Sequence, residues 1–525
     1  MTTLAQLPPL SDVTLADRCA HWATVTPNAP CLTSGDTTRS WAEVMERCRR
    51  LAAGLTPFGR GARIIYLGRN STVFIELAVA SSMAGTVLTA VNWRLAAPEM
   101  AQVVEHSTSA LAFVQDEFAQ LWADASSSSS IPAVHFGGDG SNGDEQWDYE
   151  HWLAEHEPTA PNGQQAAAAD DIALQMYTSG TTGLPKGALF THAALQGVSL
   201  SADAMGITDK STMLVAIPIF HAGGAGAATI ALRAGAHLVM SADTSPDALA
   251  AAVERYSITS MMLVPTLLND ILSRPSAMAR DLSSLEIISY CGSPITPTLL
   301  ARCIDGFKCG LVQLYGLTEV NGISVLRVED HLDAEHPERL RSVGRALPGV
   351  VVKIIDPLTG TELPAGETGE ICVKAPTVMS GYFRAPDRTA EAFTSDGFLR
   401  SGDGGYMLDG YLYLRDRIKD MIISGGENVY PVEVEKVLVA CPGVADVAVI
   451  GVPSERWGET VKAVVVPTAE DPSTVEAVAD FARLHLAGYK CPTSVELVSA
   501  LPRNASGKLL KRVVRDRDWI DAHRV

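Results

Sequence analysis

Met176–Gly187 reads MYTSGTTGLPKG and follows the apolar run Ile172–Met176. This pattern predicts a buried strand that ends in a glycine-rich loop. Glycines allow successive N–H groups to point inward, hydroxyls add donors, and Lys186 adds a positive charge. The segment therefore predicts a cradle for phosphate oxygens, although alone it also fits a hairpin without a ligand. The spacing GxxxxGK[ST] is absent, which excludes a P-loop NTPase.

The segments before this loop alternate between helical and strand patterns. Residues 14–56 are predicted to be helical, with apolar residues of Trp41–Leu55 at 3.6-residue spacing. The next five segments predict strand, helix, strand, helix and strand in turn: Ala62–Leu67, Phe74–Ala84, Thr86–Val91, Pro98–His106 and Ala110–Val114. This alternation is typical of a doubly wound parallel sheet.

The pattern changes after the middle of the chain. Past Leu340, short strands such as Val350–Ile355 and Gly369–Val373 are separated by Pro and Gly turns, which predicts a small β-rich subdomain. From about Asp420, helices and strands mix over enough residues for a separate small α+β domain. The length of 525 residues also favours at least two domains.

The net charge of the chain limits the classes of partner that it can bind. The formal net charge of −19 argues against a general affinity for nucleic acid or for an anionic membrane. The most apolar stretch, Leu77–Trp93, is interrupted by polar residues, so a buried helix and strand are predicted in place of a transmembrane segment. The nine scattered cysteines contain no CxxC pair, which favours free thiols in the cytoplasm.

Seven further motifs follow the glycine-rich loop along the chain. They are Pro218-Ile-Phe-His221, Tyr290-Cys-Gly-Ser-Pro294, Tyr315-Gly-Leu-Thr-Glu319, Ser401-Gly-Asp403, Leu414-Arg-Asp-Arg-Ile-Lys-Asp420, Ser424-Gly-Gly-Glu-Asn-Val-Tyr-Pro431 and Pro502-Arg-Asn-Ala-Ser-Gly-Lys508. In this order they resemble the adenylate-forming superfamily, which contains acyl-CoA synthetases, luciferases and peptide-synthetase adenylation domains. Two departures, Ser401 for threonine and Cys291-Gly-Ser293 for Gly-Gly-Ala, remove no charged catalytic group.

The resemblance implies an α/β fold. A large N-terminal domain of doubly wound sheets with a small β-barrel-like subdomain, residues 1–418, is expected to precede a small mobile α+β domain, residues 419–525. The resemblance also implies ATP, Mg²⁺ and coenzyme A as cofactors and a small carboxylic acid as substrate. A homodimer is left open.

The resemblance assigns most of the candidate residues to a nucleotide site. Glu319 would bind magnesium, Thr318 the α-phosphate, Asp403 both ribose hydroxyls, and Arg417 would be a basic partner nearby. The loop Thr178, Ser179, Gly180, Thr181, Thr182, Gly183 and Lys186 would hold the leaving pyrophosphate, and Tyr315 with Gly316 would face Gly292, Ser293 and Pro294 across the adenine slot.

The remaining assignments concern the acid and the thiol. Lys508 would bridge the carboxylate and α-phosphate during adenylation, and His221 would be an aromatic gate before the acyl-binding helix. Lys419 would be the hinge, Gly425 and Gly426 would line the pantetheine tunnel, and Trp457 would pack on the coenzyme A arm or be a partly buried surface aromatic.

The acyl pocket is predicted from small side chains. Ala222–Ala228 reads AGGAGAA, which favours a pocket deep enough for a fatty chain or a substituted aromatic acid, although Gly and Ala also serve close helix packing. Gly316, Val320 and Gly322 are expected to line the same cavity.

The predicted function is therefore an AMP-forming acyl-CoA synthetase for a medium- or long-chain fatty acid or a substituted aromatic acid. Three alternatives remain: a hydroxycinnamate (feruloyl or coumaroyl)-CoA ligase specifically, a stand-alone enzyme that loads a carrier-protein pantetheine, and a catalytically silent nucleotide-binding scaffold. Retention of Glu319, Asp403, Arg417 and Lys508 argues against the scaffold.

Overall fold

The structure is a computed structural model of the chain. It describes residues 13–138, 148–158, 167–178, 186–293, 295–417, 420, 422–424, 427–454, 458–469, 474–486, 488–503, 509–511 and 513–515. The chain divides into two compact units, one formed by Met1–Val351 and Val373–Leu399, the other by Val352–Cys372 and Arg400–Val525. The domain boundary expected between residues 418 and 419 stays a prediction, because compactness does not reveal the joint about which a domain turns.

The helices often begin at a polar cap. Ser40 accepts a hydrogen bond from the Glu43 N–H, and the Glu43 carboxylate accepts one from the Ser40 N–H, so both ends of this capping box are satisfied. The α-helices in the described residues are α1 Leu15–Val25, α2 Trp41–Leu55, α3 Thr72–Ala84, α4 Ala97–Ser107, α5 Ala119–Ala125, α6 Tyr149–Ala154, α7 His192–Gly197, α8 Ala222–Ala234, α9 Pro246–Tyr256, α10 Pro265–Leu272, α11 Pro275–Met278, α12 Pro297–Phe307, α13 Val328–Leu332, α14 Pro386–Glu391, α15 Pro431–Leu438 and α16 Thr474–His485.

The strands are short in the first unit and longer near the end of the chain. Within the described residues they are β1 Pro30–Ser34, β2 Thr37–Ser40, β3 Arg63–Leu67, β4 Val87–Ala90, β5 Leu111–Gln115, β6 Ala133–Phe136, β7 Ile172–Thr178, β8 Lys186–Thr191, β9 Thr212–Val215, β10 His237–Met240, β11 Ser260–Leu263, β12 Ile287–Tyr290, β13 Gly310–Leu317, β14 Val320–Leu326, β15 Arg345–Ala346, β16 Val351–Ile355, β17 Gly369–Lys374, β18 Gly381–Tyr382, β19 Leu399–Leu408, β20 Tyr411–Arg417, β21 Ile422–Ser424, β22 Glu427–Val429, β23 Val444–Ser454, β24 Gly458–Pro467 and β25 Ser494–Leu497.

Two large sheets form the first unit. One has the order β15-β14-β13-β12-β11-β9-β10-β1-β2, and the other β18-β8-β7-β4-β3-β5-β6. Their central strands are parallel, as in β11–β12, β12–β13, β3–β4 and β4–β7. The predicted doubly wound α/β fold is confirmed. Since parallel strands end at the same edge, the residues that follow β12 and β13 lie side by side.

The prediction of helix throughout residues 14–56 is wrong between α1 and α2. Pro30–Ser34 and Thr37–Ser40 form a hairpin there, turning at Gly35 with φ of +56°. The first of these strands pairs in parallel with His237–Met240, which lies about two hundred residues later along the chain. Local periodicity cannot reveal a strand whose backbone partner is so distant.

The second unit carries two smaller sheets. The first has the order β16-β17-β19-β20, where β19 and β20 are antiparallel. The second has the order β22-β21-β24-β23, with β25 paired to β24. Val434, Val449, Val465 and Val478 belong to a core packed between the second sheet and helices α15 and α16. This architecture agrees with the predicted β-rich subdomain and α+β segment.

Two sequence predictions can be compared directly with the fold. No disulfide joins any of the nine cysteines, all of which lie in the described residues. None of the helices in that part of the chain has the length and hydropathy that a membrane crossing requires. Leu77–Trp93 instead contributes to α3 and β4, both buried in the first unit.

His192 is an unusual core residue at the start of α7. Its side chain is 2% exposed, and neither ring nitrogen has a hydrogen-bonding partner among the described residues. It borders a small cavity of about 30 Å³ that is otherwise lined mainly by apolar side chains such as Leu15, Phe74 and Ala225. Burial lowers the pKa of His192 to about 4.

We expect His192→Leu to make the protein more resistant to acid. The unfolded histidine binds a proton below about pH 6.5 and the folded one only near pH 4, so the wild type loses stability as pH falls across this window. The loss approaches about 3 kcal/mol, from about 1.4 kcal/mol per pKa unit. Calorimetric unfolding at pH 7.5 and pH 5 should show a smaller drop for the variant.

The matched control for this prediction is His336→Leu. His336 is exposed and lies beside Glu338, so this variant removes a histidine without changing a buried one. A pH-independent difference between His192→Leu and the wild type would show that proton binding at His192 does not govern acid stability.

Candidate active site

The two strands that flank the glycine-rich loop are antiparallel neighbours. Thr178 at the end of β7 pairs with Lys186 at the start of β8, so the predicted pyrophosphate loop connects the two ends of a hairpin. Ser179, Gly180, Thr181, Thr182 and Gly183 lie outside the described residues. Lys186 is partly exposed, and it is therefore available at the mouth of this hairpin.

A second hairpin presents Thr318 and Glu319. These two residues connect β13 to β14, where Leu317 pairs with Val320, and both are partly exposed. The pairing shifts register at Gly316, where a Cβ would lie 2.7 Å from the backbone nitrogen of Gly322. Only glycine permits this close approach of two strands. The irregularity thus places the Thr318–Glu319 turn at the tip of the hairpin.

Tyr382 joins these two hairpins. It lies on β18, which pairs with β8 and places Tyr382 opposite Ala188. Its hydroxyl donates a 2.7 Å hydrogen bond to Glu319 Oε1, and Lys186 Nζ lies 5.0 Å from the centre of its ring. The structure therefore brings the predicted metal ligand and the predicted phosphate-binding lysine together through a tyrosine that sequence reasoning missed.

The protonation state of the Tyr382 hydroxyl follows from its surroundings. Burial and the nearby carboxylate of Glu319 raise the pKa of the phenol well above its usual range. The hydroxyl therefore remains protonated and donates at any physiological pH. A single tyrosine in Gly381-Tyr-Phe383 gives no local signal of this role, because its partner Glu319 is distant in the sequence.

The predicted adenine slot lies at the carboxyl edge of the nine-stranded sheet. Gly292 and Ser293 follow β12 and are exposed, whereas Tyr315 lies near the end of the adjacent strand β13. Gly292 has φ of +85°, a conformation that favours glycine. Strand order thus brings these two motifs to neighbouring positions. Pro294 lies outside the described residues.

The predicted ribose site belongs to the second unit. Asp403 on β19 is 8% exposed and lies opposite Arg417 of β20 in the strand register. The Asp403 N–H donates to Ser401 Oγ at 3.0 Å. This hydrogen bond to the backbone needs only a hydroxyl group, which both serine and threonine carry. The replacement of threonine by Ser401 is consistent with that.

His221 occupies the N-cap position of α8, the helix that follows Pro218-Ile-Phe-His221. Its side chain is exposed to solvent, yet surrounding protein and the charge of Arg94 lower its pKa to about 4. Exposure combined with desolvation is typical of a residue that lines a cleft. His221 is therefore uncharged at neutral pH and suits a gate better than a cation.

Asn70 is a second residue that sequence reasoning missed. Its amide donates to the carbonyls of Val215 and Ile217, each at 3.0 Å, and its oxygen accepts from the Ile219 N–H at 2.8 Å. Asn70 is 5% exposed, so these bonds form in the interior. They hold the backbone that leads to His221. The only available signal was a polar residue just after strand β3.

The glycines of α8 do not leave the space that was expected. A Cβ at Gly224 would lie 2.4 Å from the Pro218 carbonyl oxygen, and one at Gly226 would lie 2.6 Å from Asn321 Nδ2. The prediction of an open pocket beside these two glycines is wrong, because protein atoms fill both places. At Gly223 a Cβ would make only ordinary contacts, and this residue is partly exposed. Close packing was the correct alternative for Gly224 and Gly226.

Several predicted residues lie outside the described part of the chain. They are Lys419, Gly425, Gly426, Trp457 and Lys508. Their assigned roles remain predictions.

The described residues contain no group of three or more His, Cys, Asp and Glu side chains arranged around a common metal position. Glu319 offers one carboxylate, whose Oε1 accepts from Tyr382. A single hard oxygen donor does not form a protein cage. It does fit Mg²⁺, which commonly binds through one or two carboxylates together with substrate phosphates.

The chain matches a known protein family over most of its length. Residues 19–383 match the family of AMP-binding enzymes, and residues 433–508 match the AMP-binding enzyme C-terminal domain. The fatty acid–[acyl-carrier-protein] ligase ScoC of Streptomyces coeruleorubidus is 35% identical, over 97% of this chain and 98% of its own. A feruloyl-CoA synthase from Amycolatopsis sp. is 38% identical, over 94% of this chain and 97% of its own.

Solved structures are similar to the chain over nearly its whole length. ATP-bound MatB from Rhodopseudomonas palustris has a TM-score of 0.85 and 29% identity, covering 96% of this chain and 99% of that chain. The similarity extends over nearly the full length of both proteins, as the ordered motifs do. The chain therefore belongs to the AMP-binding enzyme family, within the adenylate-forming superfamily that contains the acyl-CoA synthetases.

Proposed function

We propose that this protein is an AMP-forming acid–thiol ligase, which activates a carboxylic acid with ATP and transfers the acyl group to coenzyme A. The observation that carries the proposal is the contact of Tyr382 with both Glu319 and Lys186. It places a carboxylate and an ammonium group together at the ends of two hairpins. Family membership and the ligase names of its relatives support the same reaction class.

The first step forms an acyl-adenylate. A carboxylate oxygen of the acid attacks the α-phosphorus of ATP, and the bond to the β-phosphate oxygen breaks as pyrophosphate leaves with its electron pair. Lys186 neutralises phosphate charge at the mouth of its hairpin, and Thr318 donates a hydrogen bond to the α-phosphate. Tyr315 and Gly292 hold adenine between them, while Asp403, with Arg417 nearby, binds the ribose. Lys508 bridges the reacting oxygens as negative charge develops there.

Glu319 is the proposed magnesium ligand. The ion, when bound, would neutralise phosphate charge and favour departure of pyrophosphate. Tyr382 keeps one carboxylate oxygen in a fixed direction, so the other oxygen can face the ion without a search among rotamers.

The second step transfers the acyl group to a thiol. The thiol gives up its proton to solvent as the sulfur attacks the acyl carbon, and AMP leaves with the electron pair of the carbon–oxygen bond that breaks. The family resemblance supports a turn about Lys419, with Gly425 and Gly426 beside the pantetheine arm and Trp457 against the rest of coenzyme A. The proposed domains, residues 1–418 and 419–525, are the bodies that this turn would reorient.

Transfer to a carrier-protein pantetheine is the second candidate. The fatty acid–[acyl-carrier-protein] ligase among the relatives supports it, since its alignment covers nearly the full chain. The feruloyl-CoA synthase supports free coenzyme A to a similar degree. AMP release measured with coenzyme A and with a pantetheine-bearing carrier protein distinguishes the two fates.

A panel of carboxylic acids tests the whole proposal. We expect ATP–pyrophosphate exchange that depends on an added acid, followed by coenzyme A-dependent release of AMP. If none of the fatty and aromatic acids in the panel supports exchange, the result would instead favour a silent nucleotide-binding protein.

The nine free cysteines favour a reducing compartment, and we infer that the protein is located in the cytoplasm.

We expect Tyr382→Phe to weaken the use of magnesium and ATP. The ring and its contact with Lys186 remain, but the hydrogen bond to Glu319 is lost. A hydrogen bond to a charged group contributes about 1.5–3 kcal/mol, so the Mg²⁺ concentration for half-maximal exchange should rise about tenfold or more. Mn²⁺ binding in the presence of ATP, followed by electron paramagnetic resonance, gives a readout that does not depend on turnover.

The control for this substitution is Tyr256→Phe, which removes a hydroxyl that donates to the Gly35 carbonyl. This variant should keep the wild-type metal dependence. If Tyr382→Phe does the same, Tyr382 does not position Glu319.

A further inference from the structure

Asn321 occupies the space that glycine creates on α8. A Cβ at Gly226 would lie 2.6 Å from Asn321 Nδ2 and 3.2 Å from Oδ1, so the flat amide packs directly on the helix. Asn321 belongs to β14, two residues after Glu319. The side chain therefore packs on the helix that begins after His221, and its strand begins directly after the proposed metal ligand Glu319.

The hydrogen bonding of Asn321 leaves an acceptor for a ligand. Its Nδ2 donates to the Ala222 carbonyl oxygen at 3.0 Å. Because a carbonyl can only accept, the amide must direct its NH₂ group there. Oδ1 has no hydrogen-bond donor among the described residues, and Asn321 is only partly buried. The oxygen is thus an acceptor whose direction is fixed by the bond from Nδ2 to Ala222.

The neighbouring surface is small and uncharged. A Cβ at Gly223 would contact Ile217 at 3.4 Å and Cys291 Sγ at 3.7 Å. Burial raises the pKa of the Cys291 thiol to about 12, and the pKa of His221 is lowered to about 4. The thiol and the ring are therefore neutral at physiological pH. These two side chains offer no charge to a ligand, whereas the charge of Arg94 acts on His221 from nearby.

We infer that an acid activated beside Glu319 reaches Asn321, and that Asn321 Oδ1 selects acids whose acyl part carries a hydrogen-bond donor, such as hydroxylated aromatic acids, over unsubstituted acyl chains. The inference rests on the proposed acid-activating function. An acceptor that a bound substrate covers and leaves unpaired costs free energy, so a site built around one discriminates against analogues that lack the donor. Asn321 also closes the space beside Gly226, which shortens the room for a long alkyl chain along α8.

The test compares matched acids. Wild-type enzyme is assayed by ATP–pyrophosphate exchange with hydroxylated aromatic acids, the same acids without the hydroxyl, and saturated fatty acids of eight carbons or more. We expect kcat/KM to favour the hydroxylated member of a pair by about tenfold or more. A ratio near one, or a preference for the fatty acids, would overturn the inference while leaving the proposed reaction intact. Absence of exchange with every acid would overturn the proposed function itself.

Two variants test whether Asn321 causes the preference for hydroxylated acids. Asn321→Leu removes the acceptor, and Gly226→Ala adds a methyl group that displaces the amide. In both, the ratio of kcat/KM for the matched acids should fall toward one, and the ratio cancels any general loss of activity. Asn269→Leu is the control, because the Asn269 oxygen already accepts from Arg302. A wild-type ratio in Asn321→Leu would show that another group recognises the donor.

Discussion

Lys508→Ala should lower acyl-adenylate formation by about a hundred- to a thousandfold and leave thioester formation from a supplied acyl-adenylate largely intact. The ammonium group is proposed to meet charge that develops only as the carboxylate attacks the α-phosphate, and interactions confined to a transition state have effects of this size. Once pyrophosphate has left, the lysine has no comparable charge to stabilise. ATP–pyrophosphate exchange measures the first step, and thioester formation from synthetic acyl-adenylate measures the second.

Lys490→Ala provides the matched control. The Lys490 ammonium pairs with Glu433 at 2.6 Å within the second unit, so it is committed to a structural contact. This variant should retain both half-reactions. Equal loss of the two steps in Lys508→Ala would contradict a role specific to adenylation.

Glu319→Gln should reduce adenylation by about a hundredfold or more through loss of metal binding. Glutamine keeps the length of the side chain and an oxygen that can accept from Tyr382, but it removes the negative charge. A hard divalent ion depends on that charge. Exchange activity titrated with Mg²⁺, together with direct Mn²⁺ binding in the presence of ATP, measures the effect.

Glu338→Gln controls for the loss of a carboxylate elsewhere. Glu338 is exposed and lies beside His336, so its replacement should not alter metal use. Metal binding by Glu319→Gln equal to that of the wild type would remove Glu319 from the metal site. The separate Tyr382→Phe variant then distinguishes loss of charge from loss of orientation.

Much of the site could be predicted because its parts are local. Lys186, Gly292, Tyr315 and Glu319 lie in or beside short motifs, and parallel strand order brings two of these motifs to neighbouring positions without further information. The alternation of helical and strand patterns was sufficient to predict the doubly wound sheets. Motif and periodicity are properties of consecutive residues, so a single sequence reveals them.

Contacts between distant segments could not be predicted in this way. Tyr382 meets Glu319 and Lys186 only after β18 pairs with β8, and Asn321 fills the space above Gly226 only after β14 lies beside α8. Small residues in a sequence indicate that another group packs closely against them. They do not tell whether the neighbour is a ligand or another part of the chain, which is why the expected space was wrongly assigned.

The placement of β18 has a consequence for how the protein is made. Lys186–Thr191 leaves the ribosome long before Gly381–Tyr382, the strand that covers it. At ordinary rates of synthesis the interval is roughly ten to forty seconds. Throughout that time the nascent chain presents an open strand edge able to join another polypeptide. A message truncated before codon 381 should therefore yield a product that aggregates or remains bound to chaperones.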